Sequence, residues 1–336
     1  MSSSTLAVGI VGLPNVGKST LFNALLKRQA ALAANYPFAT IDPNTGIVPV
    51  PDVRLDVLAG IVNSSVIKPA TVEFVDIAGL VKGASEGAGL GNQFLSHIRE
   101  VDLICHVVRA FADPDIIREG STDPKSDREV IETELLLADL ATLQKQKEPK
   151  GAASSEEKVK WSIIHELQKA ADTGSRDAVF KVGNKSEEHQ KIAKELSLLS
   201  TKVMVYILNV GEEDLVISPA SSAGSTVEGD QLSVVSAGAG IGQSEAIIVS
   251  AKIENELSSL SDEDQKLYLA DLGLEKSGLE RLIQKAYEML GLQSFLTAGE
   301  KEVKAWTIHN GMIAPQAAGV IHTDFEKHFI RANIAN

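Results

Sequence analysis

An apolar run, Leu6-Ala7-Val8-Gly9-Ile10-Val11, leads directly into Gly12-Leu13-Pro14-Asn15-Val16-Gly17-Lys18-Ser19, and Thr20-Leu21-Phe22-Asn23-Ala24-Leu25-Leu26 follows. The first run reads as a buried strand and the last as the opening of a helix. The middle stretch is G-x-x-x-x-G-K-S, a pattern that carries meaning only between a strand and a helix, which is where it stands here. Consecutive backbone N–H groups in such a loop point into one concavity, and the helix N-terminus adds positive potential. Gly12 and Gly17 permit backbone conformations that a Cβ would hinder. Lys18 is expected at the β- and γ-phosphates of a nucleotide, with the Ser19 hydroxyl on Mg²⁺. Phosphate contacts are expected from Asn15, Val16, Gly17, Lys18, Ser19 and Thr20. A glycine turn of purely structural purpose gives no reason for Lys18 and Ser19 to follow Gly17 directly.

Composition narrows the setting. A chain of 336 residues has room for about two or three domains and a substantial core. Its hydrophobic fraction of 44% and charged fraction of 23% are those of a soluble globular protein. A formal net charge of −13 argues against nucleic-acid or membrane binding driven by overall charge, leaving only local basic patches. Cys105 is the only cysteine, so no internal disulfide can form and a reducing compartment is the simplest setting. No run approaches the roughly 18 apolar residues of a membrane span. Met1-Ser2-Ser3-Ser4-Thr5 lacks the basic and apolar parts of a secretion signal. A cytoplasmic protein with no membrane partner is the expectation.

Strand and helix patterns alternate in the first part of the chain. Thr45 to Val50 and Thr71 to Asp76 read as two adjacent strands, and Asp102 to Val108 as a third, apolar enough to be covered on both faces. Asn92 to Glu100 reads as a helix with Phe94, Leu95 and Ile98 on its apolar side. This is the doubly wound α/β rhythm. From about Ser126 to Ser200 strands disappear. Ile131, Leu135, Ala138 and Thr142 fall at helical spacing, as do Val159, Ile163, Leu167 and Ala170. With the turn Glu148-Pro149-Lys150-Gly151 between them, they predict a coiled-coil-like helical hairpin, extended by Glu187 to Leu199. The α/β pattern resumes at Lys202 to Asn209. Ser218 to Ser244, rich in Ser, Gly and Ala, carries little amphipathic periodicity. Ala246 to Ser250 reads as a strand, and Asp262 to Leu269 and Ser277 to Leu290 as helices. From near Leu292 a small mixed or β tail is expected, with Val303 to Ile308 as a strand and His309-Asn310-Gly311 as a hairpin-type turn.

A phosphate loop of this kind needs a partner for its metal. Asp76-Ile77-Ala78-Gly79 ends an apolar strand, so Asp76 is the expected second-strand ligand of Mg²⁺ and the Gly79 N–H the expected contact of the γ-phosphate. The glycine-rich stretch from Leu80 to Gly91 suits a segment that orders and disorders with that phosphate. Between Tyr36 and Asn44, Thr40 is the chosen hydroxyl for closing over the nucleotide and completing the Mg²⁺ shell, with Thr45 in reserve. Base recognition is expected from later strand ends. A guanine site normally presents Asn-Lys-x-Asp, whereas here Asn209-Val210-Gly211-Glu212 ends the Val203 strand. Glu212 is one methylene longer than Asp, and Val210 replaces the lysine that would lie along the base. Both changes point to relaxed specificity or an adenine preference. Ser250-Ala251-Lys252 ends the next strand, where a backbone N–H is expected to help frame the base. His97 and His106, on an apolar helix and a buried strand, read as surface or core histidines.

Together these residues resemble the Obg-like ATPases, the YchF subfamily of the Obg-related P-loop NTPases. The stretches that carry the resemblance are Gly9 to Thr20, Asn35 to Pro43, Val75 to Val108, Tyr206 to Glu212, Phe295 to Val303 and Ala314 to Glu326. The resemblance implies an α/β P-loop NTPase G-domain (1–122 and 202–291), a helical insertion (123–201) and a C-terminal TGS domain of β-grasp fold (292–336). It also implies hydrolysis of ATP in preference to GTP, association with ribosomes, and roles in translation and stress responses. Leu80 stands where Ras-like enzymes keep a water-orienting glutamine, so Lys18 and Gly79 are the expected catalytic residues and the group that orients water is unassigned. Asn15 stands where some related NTPases hold K⁺, which makes K⁺ a second candidate cofactor beside Mg²⁺. The histidine that the family carries after the Val107-Val108 strand has no counterpart in Asp115 to Gly120. Arg118 is an electrostatic substitute or a solvated surface residue. The family pattern also implies an amphipathic helix where Ser218 to Ser244 stands. Several strands of a β-grasp fold are absent before Asn336, so the tail reads as partial.

Two rival readings stand beside the switch-type ATPase: a GTPase of the Obg class, and a non-hydrolysing nucleotide sensor or scaffold working through its helices and tail. An RNA contact through the tail rests on Lys301, Lys304, Lys327 and Arg331, which are scattered among acids and equally explained as a solvated face.

Overall fold

The computed structural model describes residues 6–33, 44–77, 89–111, 123–149, 151, 154–215, 238–242 and 245–331. Its centre is a six-stranded sheet built from β1 (Ala7–Val11), β2 (Thr45–Pro49), β4 (Thr71–Asp76), β5 (Leu103–Arg109), β6 (Val203–Asn209) and β7 (Ala246–Val249). The strand order is β2-β4-β1-β5-β6-β7. Only the β2–β4 pair is antiparallel. The parallel strands are joined by crossover segments, which cover both faces and leave the middle strands almost wholly apolar. Every residue of β5 is buried, as its unbroken apolar run implied. Helices α1 (Lys18–Ala33) and α3 (Gly89–Glu100) flank the first strands. Phe94, Leu95 and Ile98 are buried, and His97 is exposed. The carboxyl ends of β1, β4, β5, β6 and β7 therefore meet at one edge, where α/β sheets bind ligands.

Helices α4 (Pro124–Gln144), α5 (Ser155–Asp172), α6 (Arg176–Gly183) and α7 (Glu187–Glu195) lie between β5 and β6. The expected hairpin, with its extension from Glu187, is thus a four-helix unit in which α6 is the helix not anticipated. A pair of helices with apolar stripes about three turns long leaves those stripes half covered, and α6 and α7 supply the cover. Leu143, Ile163, Leu167, Val179, Ile192 and Leu198 form a core of their own. Val159 lies outside it, 45% exposed, contrary to the stripe drawn through it. The short helices start on side-chain caps, with Ser175 accepting from the Ala178 N–H and Ser186 from the His189 N–H. At the exit from this unit, the buried Asp139 carboxylate accepts the N–H groups of Leu199 and Ser200 at 2.8 and 2.7 Å.

The last part comprises α8 (Ala251–Leu257), α9 (Asp262–Asp271), α10 (Gly278–Met289), β8 (Leu292–Ala298), β9 (Val303–His309), α11 (Ala314–Ile321) and α12 (Thr323–Lys327). A capping box of Ser277 and Glu280 starts α10, which buries Leu279, Leu282, Ile283 and Ala286. Strands β8 and β9 form the hairpin of the tail, closed where the Gly299 N–H meets the Glu302 carbonyl at 3.1 Å. The turn expected at His309-Asn310-Gly311 is not a hairpin. Pairing ends at Leu292–His309, and the chain leaves through Gly311 (φ +85°) towards α11.

A short strand, β3 (Ile67–Lys68), pairs in parallel with β9 and gives a three-stranded sheet of order β3-β9-β8. The Val303 N–H bonds the Val66 carbonyl at 2.9 Å, and Lys68 pairs with Glu302. A division of the chain at 291/292 therefore cuts through a sheet, because two residues from just before β4 complete it. The Tyr287 hydroxyl of α10 fastens the same sheet, lying 3.2, 2.7 and 3.0 Å from the Gln293 carbonyl, Ser294 Oγ and Thr307 Oγ1. Helix α2 (Val53–Val62) packs on β8 and β9 from the other side of that junction. Among the described residues, no helix is long and apolar enough to cross a membrane.

Candidate nucleotide-binding site

The loop between β1 and α1 is shaped by backbone conformations that only certain residues adopt. Gly17 has φ +100°, and a Cβ there would lie 2.3 Å from Asn209 Nδ2. Asn15, at φ +60°, is one of the few residue types that tolerate the left-handed region. A Cβ on Gly12 would lie 2.6 Å from the Val107 carbonyl, so the loop can rest on β5 only with glycine there.

Lys18 is buried, and its ammonium donates to the Leu13 carbonyl at 2.7 Å, folded back across its own loop. Burial holds its pKa below the usual lysine range, and the charge of Asp76 acts in the opposite direction. Asp76, at the end of β4, is fixed by its main chain, whose N–H bonds the Asn44 carbonyl at 2.9 Å. Burial raises the pKa of its carboxyl, against the pull of Lys18, and its Oδ1 is buried without a hydrogen-bond partner among the described residues. An orphaned carboxylate oxygen beside a loop that carries the exposed Ser19 hydroxyl is a hard-oxygen donor set, which fits Mg²⁺. Among the described residues there is no group of three or more His, Cys, Asp or Glu for a metal. Any ion here would complete its shell with donors beyond the described residues, phosphate oxygens and water among them.

The far end of the cleft is organised by Asn209. Its Nδ2 donates to the Val16 carbonyl at 2.8 Å, and its Oδ1 accepts the Ala251 N–H at 2.9 Å. One side chain thus ties the end of β6 to the phosphate loop and to the start of α8. The second bond commits the Ala251 N–H, one of the backbone donors of the Ser250-Ala251-Lys252 strand end, to Asn209. Val210 is buried and bonded through its N–H to the Val249 carbonyl. Glu212 reaches the surface and pairs with Lys252 at 3.2 Å. Both side chains are well exposed, so that pair contributes little stability.

A cleft of about 660 Å³ joins the two ends, from Lys18, Ser19 and Thr20 to Glu212, Lys252 and Asn255. The structure brings Asn15, Gly17, Asn209, Val210, Ser250 and Ala251 onto the same cleft. Phe111 and Asn255 also line it and were missed by motif reading. Phe111 was discoverable in part, as an aromatic residue two positions beyond a strand that ends at the cleft. His106 plays no part in the lining. It is fully buried in β5, and burial together with the charges of Arg128, Arg176 and Lys18 pushes its pKa down to about 3. Thr40, Gly79, Leu80 and Arg118 lie outside the described residues, as does most of Ser218 to Ser244.

A strand, a glycine loop with its lysine, and a carboxylate on the neighbouring strand define a P-loop nucleotide-binding domain. A family model described as "50S ribosome-binding GTPase" matches residues 7–135. A second, YchF-GTPase_C, described as a protein of unknown function, matches residues 292–336. The protein called ribosome-binding ATPase YchF in Bacillus subtilis is 47% identical over 334 residues, covering 97% of this chain and 87% of the relative. Its namesake in Haemophilus influenzae is 48% identical over 332 residues, with the same coverage. The solved structure of the Schizosaccharomyces pombe YchF GTPase superposes with a TM-score of 0.78 at 38% identity, covering 97% of this chain and 86% of that one. The chain belongs to the YchF family.

Proposed function

We propose that this protein is a slow, switch-type ATPase that binds Mg²⁺·ATP in preference to GTP and docks on the ribosome in one nucleotide state. The observation that carries the base preference is the Asn209-Val210-Gly211-Glu212 corner. Asn209 spends its amide on the loop and on α8, and Val210 offers hydrocarbon where a guanine site offers a lysine stem. Glu212 is one methylene longer than the aspartate of a guanine site, which displaces the bidentate fit to the two donors of guanine.

On the phosphate side, Lys18 would leave the Leu13 carbonyl for the β- and γ-phosphates. Ser19, Thr40 and Asp76 would hold Mg²⁺, and the Gly79 N–H would meet the γ-phosphate. The metal, when bound, supplies charge stabilisation of the transferring phosphoryl group. With Leu80 in place of a glutamine, the group that orients the attacking water is unassigned. K⁺ at Asn15 is a further proposal, and equal turnover in Na⁺ and K⁺ buffers would refute it.

Ribosome association comes from the names of the relatives, and with it a cytoplasmic setting and a role in translation or stress regulation. A direct RNA contact through the tail has less to support it. Lys304 lies over the Trp306 ring at 3.5 Å, which leaves Lys301, Lys327 and Arg331 as the exposed cations of that group. Displacement of a fluorescent ATP analogue by ATP and by GTP tests the base preference. ATP is expected to compete at lower concentration, and a large advantage for GTP would return the protein to the Obg-type GTPases.

A further inference from the structure

Among the described residues the cleft has one aromatic residue in its lining, Phe111, and the residue that holds it in place is Arg109. Arg109 is the last residue of β5, paired in register with Asn209. It is 3% exposed and does not line the cleft itself. Its guanidinium carbon sits 4.3 Å from the centre of the Phe111 ring, and its Nε donates to the Phe111 carbonyl at 3.3 Å. The intervening residue is pinned as well, since the Ala110 N–H bonds the Asn209 carbonyl at 2.8 Å. Phe111 is thus fixed through its ring and its main chain, beside the strand end where the base is expected.

We propose that Arg109 is a positioning residue for nucleobase binding, clamping Phe111 as the stacking wall for a purine. This rests on the nucleotide reading above. A cation against one ring face is attracted to the ring's quadrupole and restricts its rotation. A pre-set aromatic plane is what a purine needs in order to stack, and stacking does not depend on which polar groups the base carries. The clamp therefore raises affinity for ATP and GTP together, while the Asn209-to-Glu212 corner separates them.

The test is a comparison of ATP with inorganic tripolyphosphate, which has no base, as competitors of a fluorescent ATP analogue. Arg109→Met, which keeps the volume and removes the charge and the donor, should weaken ATP about 5- to 10-fold and leave tripolyphosphate unchanged. Phe111→Leu should do the same, and the double variant should be no weaker than Phe111→Leu alone. Equal loss for tripolyphosphate would overturn the proposal, because Arg109 would then act on the phosphates through its charge. Full additivity in the double variant, or no loss of ATP affinity, would also overturn it. If Arg109→Met does not fold, Arg109→Lys takes its place, with ATP weakened and tripolyphosphate unchanged as the expected result and unchanged ATP as the refutation. A wild-type protein that binds no ATP at all refutes the nucleotide reading itself, which is evident before any variant is compared.

Discussion

The Asn209 carboxamide holds the Val16 carbonyl at 2.8 Å, so the end of β6 carries the phosphate loop from behind. Its other atom holds the Ala251 N–H at 2.9 Å. Replacing Asn209 with alanine leaves a buried acceptor and a buried donor unpaired, each costing about 1–3 kcal/mol. Asn209→Ala is therefore expected to lower the melting temperature and to weaken ATP at least tenfold. Asn209→Asp keeps the acceptor for Ala251 but sets a carboxylate against the Val16 carbonyl, and it should fare no better. Binding and melting curves for both variants check this, and an Asn209→Asp protein that binds ATP normally contradicts it.

His106 makes stability depend on mild acid. Its folded pKa of about 3 lies below the ordinary value of 6.5, so the unfolded chain takes up the proton first. The stability tied to the neutral ring is present above about pH 6.5 and is lost progressively as pH falls towards 3. Between about pH 6.5 and 5 the loss from this one group is on the order of 2 kcal/mol. His106→Phe keeps an aromatic ring and should flatten the pH dependence of denaturant unfolding by about one proton over that interval. An unchanged slope would show that the ring is protonated in the folded state.

Much of the frame is legible in the sequence. β1, β2, β4, β5, β6 and β7 fall where apolar and β-branched runs placed them, because a parallel sheet covered on both faces shows its strands as such runs. The phosphate loop, Asp76 and Asn209 were visible because each occupies a fixed position relative to a strand end. The less visible parts are short or borrowed. Ile67–Lys68 becomes a strand only because β9 lies beside it, a long-range pairing that two residues cannot announce. The helix from Arg176 to Gly183 is made by the core it covers, and the start of α11 hid behind a turn signal at Asn310-Gly311. Arg109 and Phe111 belong to no motif, and their relation exists only in three dimensions.

The tail sheet is fastened by Tyr287, whose hydroxyl meets three partners on β8 and β9. Tyr287→Phe removes one polar atom and leaves the ring packed, so it should cost about 1–2 kcal/mol. The loss should be local. Hydrogen exchange is expected to speed up at the β8 and β9 amides and to stay unchanged in α5 and α7. Uniform acceleration across the chain would contradict the picture of a separately fastened sheet.

Asp76 is the one carboxylate proposed for Mg²⁺, and burial raises its pKa. A metal needs the ionised form, so Mg²⁺ affinity should fall with acidity at a higher pH than an ordinary aspartate would allow. In the folded protein the raised pKa also means that ionised Asp76 is a destabilising charge above its pKa, and metal relieves it. Asp76→Asn should bind ATP in the absence of Mg²⁺ as well as the wild type does, and should lose the added affinity that Mg²⁺ confers. Retention of that increment would remove Asp76 from the metal shell.

Phosphate release from Mg²⁺·ATP by the wild type and by Lys18→Ala shows whether the Gly12-to-Ser19 loop binds ATP for hydrolysis. The expected result is slow but reproducible release by the wild type, with both binding and turnover lost in Lys18→Ala. Wild-type protein that binds ATP tightly and releases no phosphate would exclude hydrolysis and make this chain a nucleotide-sensing scaffold.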